Sequence, residues 1–120
     1  MNYQIQSKNH VRYVEADPID GLISSEADAL DWVAVCGESG TQRLMLHAGN
    51  FPGEFYDLKS GLAGAVLLKY TNYRLIVAAV LPPSLTNQGK FREMALETNR
   101  GHQFRIFIDR ESAEDWLIKA

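Results

Sequence analysis

Between Phe55 and Leu81 the hydrophobic pattern changes period once, and the rest of the chain is organised around that change. After Ser60-Gly61, the apolar residues Leu62, Ala63, Val66, Leu67 and Tyr70 recur at helical spacing, which predicts one buried face of an amphipathic helix. Thr71-Asn72 supply turn chemistry near its end. From Tyr73 to Leu81 the residues are nearly all apolar. A run so continuous suits a central strand covered on both faces, usually in a parallel sheet. Pro82-Pro83 closes it, because proline has no N–H to give the ladder. Gly61 and Gly64 are poor helix formers, so close approach of the helix backbone to a sheet or a ligand is expected at both.

Alternation marks the flanks. Residues 2–15 read as an antiparallel hairpin turning at Lys8-Asn9, followed by a loop at Asp17-Pro18 and Asp20-Gly21. Ser25 with Asp28 resembles a capping box for a first helix that faces inward through Leu30, Val33 and Ala34 and closes at Gly37. Arg43 to His47 is a short strand, and a polar loop from Ala48 to Glu54 leads to the central helix. Phe91, Met94 and Ala95 predict a third helix ending at Asn99-Arg100-Gly101, with Gly101 as a left-handed cap. Phe104 to Ile108 is a strand, and Asp109 can cap a last helix facing inward through Ala113, Trp116 and Leu117. The expected order is β-β-α-β-α-β-α-β-α. That is one α/β domain with a mixed, mainly parallel sheet of five strands, four helices and an antiparallel hairpin at its edge.

Composition narrows the classes. At 120 residues and 46% apolar content, a single globular domain is expected. A net charge of −3 argues against nucleic-acid binding, which needs a basic surface for the phosphates. One cysteine excludes an internal disulfide and a multi-cysteine zinc site. There is neither a signal-peptide pattern nor an apolar run long enough to span a membrane, so a cytoplasmic protein is expected.

The segment Ser60-Gly61-Leu62-Ala63-Gly64-Ala65-Val66-Leu67 resembles the Asp-Ser-Ser-Gly-Leu-Gly segment of anti-sigma-factor antagonists of the STAS, or SpoIIAA-like, fold. Phe104-Arg105-Ile106-Phe107 through Glu114-Asp115-Trp116-Leu117 is similar to the closing strand and helix of SpoIIAA-like proteins. Nearly the whole chain resembles the uncharacterised bacterial group called domain of unknown function 4180. The resemblance implies a SpoIIAA-like fold and a regulatory, protein-binding role. It also implies a phosphorylatable serine at Ser60, where a phosphate would meet free N–H groups at a helix N-terminus. Lys59 replaces the second serine of the antagonists, Asp57 stands three residues before Ser60 rather than two, and Ala63 lengthens the Gly-Leu-Gly spacing. An N-cap serine is the other reading of Ser60.

The carboxyl ends of parallel strands, where such sheets bind ligands, should gather His47, Asn50, Ser60, Pro82, Ser84, Asn87 and Asp109. The expected binding surface comprises His47, Asn50, Phe55, Tyr56, Asp57, Lys59 and Gly61, flanked by Phe51. Asn99, Arg100 and His102 form a candidate anion site, and Cys36 reads as a small buried hydrophobe. No metal motif, P-loop, nucleophile elbow or triad is present, and no cofactor is expected. The leading expectation is a non-catalytic module with an unknown protein partner. A small-molecule binder or hydrolytic enzyme using His47 and Asp57 is the alternative. A homodimer through the edge hairpin is a third, since an exposed edge strand invites pairing.

Overall fold

A computed structural model describes residues 1–19 and 21–120; Asp20 lies outside the described residues. Five strands, β1 (Tyr3–Lys8), β2 (Val11–Ala16), β3 (Arg43–His47), β4 (Ile76–Val80) and β5 (Phe104–Phe107), lie side by side in chain order. β1 and β2 are antiparallel, and every later pair is parallel. Among the described residues the helices α1 (Glu26–Glu38), α2 (Leu62–Asn72), α3 (Pro83–Thr86) and α4 (Gly89–Thr98) lie in the connections after β2, and α5 (Arg110–Lys119) follows β5. The expected mixed sheet and edge hairpin are present, with the one-turn α3 added after Pro82. Three short 3-10 turns fill the connection from Ala48 to Ser60.

Strand order that runs one way, joined by crossovers of one hand, must place every crossover helix on the same face. Accordingly Trp32 of α1, Val66 and Tyr70 of α2, and Phe91 of α4 share one core with Leu44, Leu46, Val77 and Ala79. The opposite face is left to α5, whose Ala113, Leu117 and Ile118 pack on Tyr13, Met45 and Ala78. Residues of alternate parity along β3 and β4 therefore enter two different cores, as the continuous apolar run requires.

The local chemistry sharpens several boundaries. The hairpin turns at Asn9-His10, both with positive φ, 52° and 65°, one residue later than Lys8-Asn9. A two-residue turn of this hand matches strand twist. Ser25 accepts from Asp28 N, while Asp28 answers through Ser24 N rather than Ser25 N. The buried line of α1 is Ala29, Trp32 and Cys36; Leu30 and Val33 are only partly buried and Ala34 is exposed. The expected face was one residue out of phase because the bulk of Trp32 takes the core position.

Helix α1 runs through Gly37 and stops at Gly40, where φ is +72°. Thr41 N donates to Cys36 O and Gly40 N to Gly37 O, the paired bonds of a Schellman end. Helix α2 continues past Tyr70 to Asn72 and closes in the same way, with Leu75 N on Tyr70 O and Arg74 N on Thr71 O. There the left-handed residue is Arg74, at φ 59°, so β4 begins at Ile76 and not at Tyr73. Gly101 is not in the left-handed region. Right-handed turns, Arg100 N on Glu97 O and Gly101 N on Thr98 O, carry the chain out of α4 instead.

Neither Gly61 nor Gly64 is closely approached; a Cβ at either would meet nothing within 4 Å. Gly61 is needed for its positive φ of 79° at the start of α2. The close approach is at Gly49, where an added Cβ would lie 1.7 Å from the Pro18 carbonyl oxygen.

These differences define a mutational series, read by urea denaturation. Gly49→Ala should destabilise by at least about 2 kcal/mol, since backbone must move. Gly64→Ala, in open space within α2, should stabilise by about 0.5–1 kcal/mol. Arg74→Gly should gain a similar amount, about 0.5–1 kcal/mol, by relieving left-handed strain.

Candidate functional site

The strongest polar constellation lies on the α5 face, across the carboxyl ends of β2 and β3. Tyr13 and Glu15 share a face of β2, and Met45 and His47 share that face of β3, so period-two alternation aims all four toward α5. Glu15 accepts from Arg110 Nε and Nη2, both at 2.8 Å, and from Gln6 at 3.1 Å. His47 Nε2 lies 2.8 Å from Glu15 Oε2, the oxygen that Arg110 Nε also holds; a carboxylate has only lone pairs to offer, so this nitrogen bears the hydrogen. Arg110 also donates to the Tyr13 hydroxyl at 2.9 Å, and that hydroxyl donates to Glu114. Lys8 completes the group, 3.3 Å from Glu114 and 3.6 Å from Asp115.

Electrostatics follow from this pairing. The Arg110 hydrogen bonds, helped by His47 and Gln6 and opposed by burial, hold the Glu15 carboxyl down at about 2. The Tyr13 hydroxyl bond, with Lys8 and Arg110, lowers Glu114. Burial, reinforced by the bond to Glu114, raises the Tyr13 phenol, and Glu15 raises Arg110. Every charge in the group is thus answered by another. The arrangement ties α5 to the sheet, and a carboxylate so stabilised is a poor proton acceptor at neutral pH.

Asn50 is fully buried and serves the backbone. Its Oδ1 accepts from His47 N at 2.8 Å, its Nδ2 donates to Asp17 O at 2.8 Å, and its carbonyl accepts from Ile23 N. These bonds join the ends of β2 and β3. At the open end of the hairpin, a cleft of about 490 Å³ is lined by residues that include Tyr3, Gln4, Glu15 and Asp17.

The loop expected to bind lies on the other face. Phe51 and Phe55 are buried and pack on each other, and Phe55 meets Tyr56 and Phe91, so both phenylalanines are core while the partly buried Tyr56 sits at its margin. Asp57 accepts from Lys59 N at 3.1 Å, whereas His47 is engaged with Glu15. The two residues expected to share a hydrolytic site have separate partners, since His47 points to the α5 face while the loop packs against α2 and α4. Ser60 is exposed at the end of the last 3-10 turn, and Gly61 takes the N-cap position of α2. The Ser60 hydroxyl donates to Glu54 O at 2.6 Å and accepts from Leu62 N at 3.2 Å. Beside it a shallow groove of about 360 Å³ runs between Tyr56, Leu58 and Lys59 and the start of α4 at Gln88 and Lys90.

The remaining candidates are committed locally. Asn99 bonds both backbone groups of Ile106, through Oδ1 from its N at 2.7 Å and Nδ2 to its O at 3.3 Å. Arg100 pairs with Glu97 at 3.7 Å, and His102 Nδ1 lies 3.5 Å from Arg105 Nη2. Asn99 is therefore a strand-edge cap, not one arm of an anion site. Cys36 is buried, and burial pushes its thiol up to about 12. Among the described residues no cluster of three or more His, Cys, Asp or Glu side chains could hold a metal, and no helix is long and apolar enough to cross a membrane.

Sequence reasoning found His47 but missed its partners. Glu15 stood in an alternating strand and Arg110 beside a helix cap, where each reads as an ordinary exposed charge. The inward phase of Tyr13 on β2 was the available signal, since Glu15 must share its face.

This is a small mixed α/β domain with a clamped closing helix and an exposed serine-bearing loop. The family model for a domain of unknown function, DUF4180, matches residues 8–117, and the chain belongs to that family. No curated protein and no solved structure gives a significant match.

The clamp makes a pH prediction. Because folding lowers the Glu15 pKa from 4.5 to about 2, its stabilisation is complete above pH 4.5 and is lost as pH falls toward 2. Glu15→Gln should destabilise at pH 7 by about 1–3 kcal/mol and flatten that acid limb. Urea midpoints of both proteins across this range check it.

Proposed function

We propose that this chain is a non-catalytic, SpoIIAA-like binding module, working through the loop before α2, with Ser60 as a phosphorylation-sensitive switch. One observation carries the reading: the exposed Ser60 hydroxyl is the link between that loop and the helix, donating to Glu54 O and accepting from Leu62 N. Phosphorylation consumes the O–H, so the bond to Glu54 O is lost. The added charge of about −1.5 to −2 then lies near the free N–H groups of α2 and beside Lys59, favouring a new loop position. The adjoining groove at Tyr56, Leu58 and Lys59 would change with it.

The sheet order and its antiparallel edge hairpin support the SpoIIAA-like assignment. The saturated Glu15 supports a binding role over hydrolysis, since a carboxylate held low by Arg110 is a poor proton acceptor.

Intact-mass analysis of protein from its native cells should find a single added phosphate, absent in Ser60→Ala. Affinity capture should retain the same partner on wild type and Ser60→Ala and lose it on Ser60→Asp. A partner held equally by all three variants, or phosphate only at other residues, would overturn the switch.

A further inference from the structure

The two edges of the sheet are treated differently. At β5 the outward groups are sealed: Asn99 bonds both N and O of Ile106, and Thr98 Oγ1 donates to Phe104 O at 2.6 Å. Among the described residues nothing equivalent covers β1. Asp17 N donates to Asn2 O at 3.0 Å, which in the register Tyr3↔Ala16 assigns the even residues of β1 to the bonds with β2. The N–H and C=O of Tyr3, Ile5 and Ser7 therefore point outward, away from the sheet.

This open edge carries none of the usual protection. Tyr3-Gln4-Ile5-Gln6-Ser7-Lys8 has no proline, and its register with β2 has no bulge. Its one charge, Lys8, is held by Glu114 and Asp115. Ile5 is 53% exposed and Tyr3 37%.

We infer that β1 pairs antiparallel with β1 of a second copy, extending the sheet across a two-fold axis at Ile5. The strand is self-complementary in this register. Outward-bonding Ile5 faces its own counterpart, and Tyr3 faces the smaller Ser7 of the second copy. On the other side of the sheet Gln4 meets Gln6, amide to amide. Lys8 meets Asn2, so no like charges are opposed. The apolar side chains of Ile5 and Tyr3 lie together on the α1 side, where Tyr3 already packs edge-on against Trp32 at 6.2 Å. Because the β5 edge is sealed, head-to-tail growth through β1 and β5 is blocked and association closes as a dimer.

Sedimentation velocity of the full chain from about 1 to 100 µM should show monomer converting to dimer. Ile5→Lys, at a half-exposed position, should weaken dimerisation at least about tenfold by opposing two charges on the axis. Ile5→Pro removes only an outward N–H and should abolish the dimer while the β1–β2 ladder persists, as circular dichroism would show. If Ile5→Pro unfolds, Ile5→Lys carries the test. A wild-type monomer throughout, or a dimer indifferent to the folded variants, would overturn the assignment.

Discussion

The tie between Glu15 and Arg110 holds this structure to its present form. Strand order running one way commits α1, α2 and α4 to one face of the sheet, leaving α5 alone to close the other. A ten-residue helix with Ala113, Leu117 and Ile118 as its buried residues offers little apolar area, and short helices gain most of their stability from packing. Polar anchors make up the difference. Arg110 grips Glu15 at one end, Tyr13 and Lys8 hold Glu114 within the first turns, and Arg43 donates to the Leu117 and Ala120 carbonyls at the other. Those carbonyls are helix-end acceptors with no intrahelical donor, so the arginine satisfies groups that would otherwise rely on water.

The same tie decides what the strand ends can do chemically. In many open sheets the carboxyl edge is where free polar groups converge on a ligand. Here Glu15, His47, Tyr13 and Arg110 converge on one another. Asn50 closes the adjoining corner by linking His47 N, Asp17 O and Ile23 N, and Gly49 makes room for the Pro18 carbonyl against it. Groups paired in this way fix the geometry of this corner. The loop face around Ser60 lies on the opposite side of the sheet from this network, whereas β1 touches it through Gln6 and Lys8 and leaves its outer backbone groups open.

Those two surfaces are compatible with each other. The loop before α2 packs on the α1/α2/α4 side through Phe51 and Phe55 and exposes Ser60 at its end. The β1 edge lies at the far side of the sheet, with β2 and β3 between it and β4, the strand that α2 enters. Pairing through one leaves the other uncovered, so a dimer would present two copies of the serine-bearing loop.

By itself the sequence determined the element types and their order. Period-two and helical patterns are local properties, and the switch between them at Thr71-Asn72 separates α2 from β4 wherever the rest of the chain lies. The caps at Ser25 and Asp109 were legible for the same reason, since each is a contact between residues three apart. The tertiary structure decided the rest. Trp32 took the core line of α1, because burial follows bulk against a particular sheet rather than mean periodicity. Gly49, not Gly61 or Gly64, met the close approach, because Pro18 lies 31 positions away in sequence and only the fold brings it near. Asn99 became the seal of an edge strand, and Glu15 found Arg110 across 95 residues. A charge on an alternating strand reads as solvent-facing until the helix that covers it is in place, and that placement is a property of topology alone.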